Sequence, residues 1–334
     1  QGLWTAEDAA GGVLPNRGAS GASLDATLTG LTPVDGPAIV FPAGAGSGLS
    51  LTDYSLMPTD DFVASMLFAS PLISDGTTRT LYGRVTSANG GQGWELRLNT
   101  GGFVLLTYHD GSSFQNVTGS SVVGAVGVRV QVSGTAVTFE STDDGSTWAA
   151  AGSGTLTISE LLPVVNGLVT IGSFQLTALG ANLAMSAISI TNVAGTTTTL
   201  NLTPADIAAV AADATTIPLT VGGTATVNRA VSGRQLQIVS KGRVLVNASL
   251  TSLSNKALCS TGVSITEHED VVLLWAGQIG HDSGGAIFPQ VVSTSSAGTS
   301  LARLYRGSSD DSARAEVDDG TDQAIATSIA SSTT

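Results

Sequence analysis

Apolar residues along the chain recur mostly at every second position, in short runs broken by Gly, Asp, Asn and Ser. The runs at 62–68, 80–85, 94–98, 103–108, 126–132, 136–141, 168–171 and 185–191 are of this kind, and Ala38–Phe41 is a shorter one. A period of two marks a strand with one buried face. Between the runs stand turn signals such as Asn89-Gly90-Gly91, Asp110-Gly111 and Asp144-Gly145, at the spacing of an antiparallel sandwich. The clearest strand is 94–98, where Trp94, Leu96 and Leu98 are predicted to face the core and Glu95 and Arg97 to face water. The pattern therefore predicts an all-β fold, an antiparallel β-sandwich.

Helix is scarce. The best start is Thr203-Pro204-Ala205-Asp206 ahead of 207–212: Thr203 caps, Pro204 suits the first helical position, and Asp206 completes a capping box. A similar short start occurs at Thr5-Ala6-Glu7-Asp8. Trp4–Ala9 aligns with Leu202–Ile207 at an offset of 198 residues. With small shifts, Asp25-Ala26-Thr27-Leu28 then matches Thr224-Ala225-Thr226-Val227, and Pro37-Ala38-Ile39-Val40 matches Gln235-Leu236-Gln237-Ile238. Further on, Asp60-Asp61-Phe62-Val63 matches Glu269-Asp270-Val271-Val272, and 95–111 resembles 301–320. The offset drifts to about 209 through loop insertions. We read tandem copies, each opened by a short capped helix: a first sandwich over 1–195, a linker with a short helix over 196–216, and a second copy over 217–334. That second copy stops where the first has reached about residue 125, so the chain is expected to continue beyond Thr334.

Composition narrows the class. Of 334 residues, 42% are hydrophobic but only 12% charged and 5% aromatic, with Lys+Arg 13 against Asp+Glu 26. Disorder calls for low hydrophobicity with high net charge, and nucleic acid calls for a basic face. With Lys241 and Lys256 as the only lysines and a net charge of −13, nucleic acid is not an expected partner. The single cysteine, Cys259, allows neither an intrachain disulfide nor a cysteine zinc site. No apolar run reaches the ~20 residues of a spanning helix, so membrane insertion is not expected.

One order of motifs carries a resemblance. Asp25-Ala26-Thr27-Leu28-Thr29-Gly30, then Gly36-Pro37-Ala38-Ile39-Val40-Phe41, then Asp60-Asp61-Phe62-Val63 through Phe68, then Trp94–Leu98 resembles the concanavalin-A-like, laminin-G-like jelly rolls. The likeness covers 14–192 and, less fully, 219–334. It departs at Met66–Phe68, where the family often carries Trp; Trp275 restores that residue in the second copy. The resemblance implies a jelly-roll sandwich, and loops that often hold calcium. Asp53, Asp60, Asp61, Asp75 and Asp110 are the loop acids available. Calcium is thus the one cofactor considered, with Asp53, Asp60, Asp61 and Asp110 as its candidate ligands.

A second resemblance is local. Ser141-Thr142-Asp143-Asp144-Gly145-Ser146-Thr147-Trp148 is similar to the Asp box of sialidases, which implies a structural turn. In it Ser141 opens the turn, Asp143 accepts backbone N–H bonds, Gly145 supplies positive φ and Trp148 packs beneath.

Catalytic groupings are not expected. Glu267-His268-Glu269-Asp270 lacks the spacing of paired glycosidase acids. His109, His268 and His281 form no metal spacing, and Gly44–Gly48 lacks a phosphate-binding lysine. The expectation is a non-enzymatic virion structural protein of a phage tail, fibre or capsid-surface appendage. Its partners would be other virion subunits, as a homo-oligomer, and a host cell-surface glycan; its location would be the virion. The alternative is a secreted or cell-surface glycan-binding module, against which stand four Trp and four Tyr, few to spare for sugar stacking.

Overall fold

A computed structural model of the chain describes residues 8–10, 13–15, 17, 22, 25–29, 31–41, 47–74, 76–176, 183–229, 236–247, 256–259, 290–296, 299–306, 313–318 and 323–327. The first strands are β1 (Val13–Leu14), β2 (Ala26–Thr29), β3 (Leu31–Asp35), β4 (Ala38–Phe41) and β5 (Gly48–Leu51). They are followed by β6 (Phe62–Phe68), β7 (Arg79–Thr86), β8 (Gln92–Leu98), β9 (Phe103–His109) and β10 (Phe114–Ser121). Next come β11 (Gly127–Ser133), β12 (Ala136–Thr142), β13 (Ala149–Thr155), β14 (Val169–Ile171), β15 (Leu183–Asn192) and β16 (Thr198–Leu202). The helix α1 (Pro204–Ala208) leads to β17 (Thr216–Pro218), β18 (Thr224–Asn228), β19 (Gln237–Val239), β20 (Arg243–Asn247) and β21 (Lys256–Cys259). The last four are β22 (Gln290–Ser296), β23 (Thr299–Arg306), β24 (Ala313–Asp318) and β25 (Gln323–Thr327).

The fold is a β-sandwich of two antiparallel sheets with eight strands each. The first runs β10-β9-β8-β7-β14-β5-β18-β17; the second runs β13-β12-β11-β6-β15-β4-β19, with β16 also on β15. The expected alternation holds where one face is buried. In β6, Phe62, Ala64, Met66 and Phe68 are buried and the residues between them are half-exposed. The sheets meet through an aromatic stack: Phe62 of the second lies on Trp94 of the first, with centroids 4.7 Å apart and planes 17° from parallel. Such a pair adds about 0.5–1.5 kcal/mol beyond its area burial. The polar ends of these rings are satisfied, since Trp94 Nε1 donates to Pro58 O at 2.8 Å and the Tyr82 hydroxyl to Leu56 O at 2.7 Å. Opposite this centre the outer strands β10 and β13 converge. A side-chain carbon at Gly119 would lie 2.7 Å from Ala151 O, so glycine is what lets the two sheets close there.

Helix α1 forms as its start predicts, with a capping box between Thr203 and Asp206, but it ends at Ala208 rather than running to 212. The other expected start, at 5–8, lies outside the described residues except for Asp8.

The strand pairing crosses the boundary expected at 216/217. Strands β17 and β18 extend the first sheet from β5, with Val227 opposite Leu49, and β19 extends the second from β4, with Ile238 opposite Ile39. Ile217, Ala225, Val227 and Ile238 belong to the same core cluster as Phe62 and Trp94. The pairing has a simple cause: β4 and β5 would otherwise leave backbone groups unpaired along both sheets. Beyond them β20 pairs with β3 and β21 with β2, whereas β22 to β25 form their own four-stranded meander.

If 216–239 belong to the sandwich core, Ile217→Ala, at a site 0% exposed, costs about 2–5 kcal/mol. The urea midpoint read from the core tryptophan should fall as one cooperative transition. A core signal indifferent to Ile217→Ala would return 216–239 to a separate unit.

Candidate functional site

The first sheet carries a polar row across its whole width, on the face turned away from the core. Asn116 of β10 sits opposite Thr107, and Thr107 opposite Glu95. Glu95 faces Gly83, and Gly83 faces Thr170. The row then continues through Ser50 to Thr226 and Thr216. One strand position away, Leu106, Leu96, Tyr82 and Leu49 form the core side of the same sheet. At Gly83 any side chain is excluded, because φ is +118° and a Cβ would stand 2.3 Å from Trp94 O.

Glu95 is the centre of this row, and here the expected exposure fails. It is 0% exposed, and beside it residues 172–176 double back onto the sheet. Phe174 lies over the Arg97 guanidinium at 5.2 Å, and Gln175 Nε2 donates to Val85 O at 3.0 Å. Thr170 donates to Ser173 O at 2.6 Å, tying the strap to β14. Two adjacent strap residues, Gln175 (φ +49°) and Leu176 (φ +60°), take the left-handed conformation that lets the chain turn. Beneath the strap, Arg97 Nε donates to Glu95 Oε2 at 2.6 Å and Val85 N to Oε1 at 3.2 Å. Burial pushes the Glu95 carboxyl up to about 7, against the opposing pull of Arg97. No local period encodes a strap, so the signal for this burial was absent from the 94–98 alternation. The row continues on either side through the Thr107 hydroxyl, 2.7 Å from Asn116 Oδ1, and through Asn228 Nδ2, 2.9 Å from Ser50 Oγ.

The acids considered for calcium are not gathered. Asp53 caps a short 3-10 turn at 54–56, accepting from Ser55 N at 2.9 Å. Asp61 accepts from Gly134 N at 2.9 Å, while Asp60, its neighbour, is exposed. Asp110 closes the β9–β10 turn, accepting from Ser112 N at 2.8 Å and Ser113 N at 2.7 Å. These backbone bonds hold its carboxyl well below the usual range. Asp75 lies outside the described residues, as do Glu267–Asp270, His268, Trp275 and His281. Among the described residues no three of His, Cys, Asp and Glu come together. No helix among them is long and apolar enough to cross a membrane. His109 is buried against Gly91 and edge-on to Phe114, with centroids 5.0 Å apart.

The Asp-box segment makes a turn, but its acceptor is one residue later than expected. Asp144, not Asp143, accepts from Ser146 N at 2.8 Å and Thr147 N at 2.7 Å. Gly145 has the expected positive φ of +77°. Trp148 packs under the Arg129 guanidinium, 4.6 Å from its ring centroid, and Arg129 also pairs with Glu140. The geometry is that of Asp110-Gly111-Ser112-Ser113: an aspartate, a glycine, then two N–H groups two and three residues on. The shared Asp-Gly-Ser-Ser/Thr pattern was the better signal than the box.

Comparison with known proteins returns no matching family model and no matching curated protein.

Two outcomes follow from these environments. Asp144→Ala lowers the melting temperature and Asp143→Ala leaves it unmoved; the reverse order would reinstate Asp143 as the turn acceptor. For Glu95 the folded protein holds its proton more tightly than the unfolded chain, whose glutamate titrates near 4.5. This group alone therefore makes stability fall as pH rises from about 4.5 to about 7 and then level off. Glu95→Gln should flatten that slope in urea midpoints taken across the range; a wild-type slope surviving in the variant would assign it elsewhere.

Proposed function

We propose that the chain is a non-enzymatic structural protein of a virion appendage, such as a phage tail or fibre, working by contact between subunits and with a host-surface glycan. We read its sandwich as a concanavalin-A-like jelly roll, and 290–327 as strands of a second copy. The order of the meander supports that repeat: β22 to β25 lie side by side as β7 to β10 do in the first sheet, at the offset of the matching segments 301–320 and 95–111. In this reading the opening strands of the second copy, β18 and β19, complete the sheets of the first.

The observation that carries the contact role is the chemistry of the sheet edges. The terminal strands of the three larger sheets are β10 and β17, β13 and β19, and β22 and β25. None holds a single Asp, Glu, Lys or Arg, although charged residues stand in the interior strands β7, β8, β11, β12, β23 and β24. Monomeric sheet proteins commonly protect their edges with charge, lysine above all. Here that pattern is reversed. Among the described residues β10 and β13 converge on each other, while β17, β19, β22 and β25 carry no further strand on their neutral outer backbones, which suit a neighbouring strand. A symmetric oligomer is the economical use of such edges, and the net charge of −13 opposes indiscriminate aggregation.

Light scattering on the purified chain should give a closed oligomer, a trimer in the fibre-like case, and the protein should be recovered with purified virions. Ser293→Lys in β22 or Ala324→Lys in β25 should dissociate the oligomer into folded protomers whose melting temperature no longer depends on concentration. A monomer at every concentration, with no virion association, overturns the reading.

A further inference from the structure

An open cleft of about 460 Å3 lies where the chain leaves β5 and meets the turn between β17 and β18. That volume falls within the range of small-molecule pockets, roughly 300–1,000 Å3. Its polar wall is made by Thr52, Asp53, Ser55, Thr199 and Thr224, with Gly223 leaving backbone open beside them. Its floor rests on Leu51 and Leu56, which are buried and are fixed by the Tyr82 hydroxyl through Leu56 O at 2.7 Å. The frame is stiff on the far side as well: Asn201 N donates to Val221 O, and Thr220 is held by Asp206.

The lining decides what class of ligand fits. Asp53 is the cleft's one charged group and there is no cation in the wall, so phosphate, sulfate or an acidic sugar would meet repulsion with no compensating pair. One carboxylate is too few for a calcium cage of six to eight oxygens. A purely apolar ligand would strip water from four hydroxyls with nothing returned. A neutral polyhydroxylated ring satisfies all of these, because its hydroxyls both donate to the carboxylate and exchange hydrogen bonds with the threonine and serine hydroxyls of the wall. Asp53 is already oriented for the task. Its Oδ1 accepts from Ser55 N at 2.9 Å and Ser55 Oγ at 2.7 Å, and among the described residues Oδ2 accepts nothing.

We propose that this cleft binds one neutral hexose unit of a polysaccharide, with Asp53 Oδ2 accepting from ring hydroxyls and Thr52, Thr199 and Thr224 completing the contacts. The proposal rests on the host-glycan part of the reading above and gives it a place. It needs no aromatic platform, which matters in a chain with so few aromatic residues.

The test uses the full chain and methyl glycosides of glucose, galactose and mannose, read by saturation-transfer NMR and calorimetry, with sialic acid and inorganic phosphate as anionic probes. At least one neutral glycoside should bind. Asp53→Asn, which keeps an oxygen to cap the 54–56 turn, should weaken it by about tenfold or more. Thr224→Arg, at an exposed strand position, should abolish it by claiming the carboxylate, with the melting temperature of both variants unchanged. Failure of all three glycosides, binding untouched by Asp53→Asn, or equal binding of the anions each overturns the proposal. Oligomer size and virion recovery are measured separately, so a chain that assembles but binds no glycoside loses the cleft and keeps the structural role.

Discussion

A sheet cannot end without leaving a row of N–H and C=O groups unpaired, and most of this architecture follows from how those rows are met. Two are met within the chain. Strands β18 and β19 return from more than 170 residues downstream to lie on β5 and β4, bringing Val227 and Ile238 into the common core. At the opposite side the sheets lean together, and Gly119 lets the β10 and β13 backbones approach. Among the described residues, what remains outside is a set of uncharged strands. Assembly through those strands is the reading that uses the constraint instead of leaving it unresolved.

The same economy governs the outer face of the first sheet. A row of Ser, Thr, Asn and Glu side chains would ordinarily lie in water, yet the 172–176 strap covers its centre. Covering it requires a partner for Glu95, which Arg97 and the Val85 N–H supply, and a partner for Arg97, over which Phe174 closes. Breaking a buried pair of this kind leaves an uncompensated charge, so each member holds the others in place. The buried polar centre thus ties the strap to the sheet, while the Phe62–Trp94 stack ties sheet to sheet.

Much of this was readable from the residues. The apolar runs located the strands from 62 to 191 except β10 and β13, which carry few large apolar residues; Thr203 and Asp206 announced helix α1, and Asp110-Gly111 and Asp144-Gly145 marked their turns. The misplacements share a cause. Period two places Glu95 on the water side, because it reports which face a residue takes and not what later crosses that face. The Asp-box spacing points to Asp143, whereas the local geometry of an Asx turn favours Asp144, the residue just before Gly145. The boundary at 216/217 came from similarity between segments, whereas strand addition to β4 and β5 is a long-range event with no local mark. The loop acids looked like one set only because each loop needs its own aspartate.

The central claim is that the neutral edges are contact surfaces. Amide hydrogen exchange, followed on the intact protein across a dilution series, addresses it most directly, since protection reports backbone pairing strand by strand. The account predicts that amides of β17, β22 and β25 gain protection as concentration rises, while those of β6 and β8 stay equally protected throughout. Edge amides exchanging at one unchanging rate from dilute to concentrated protein would contradict it.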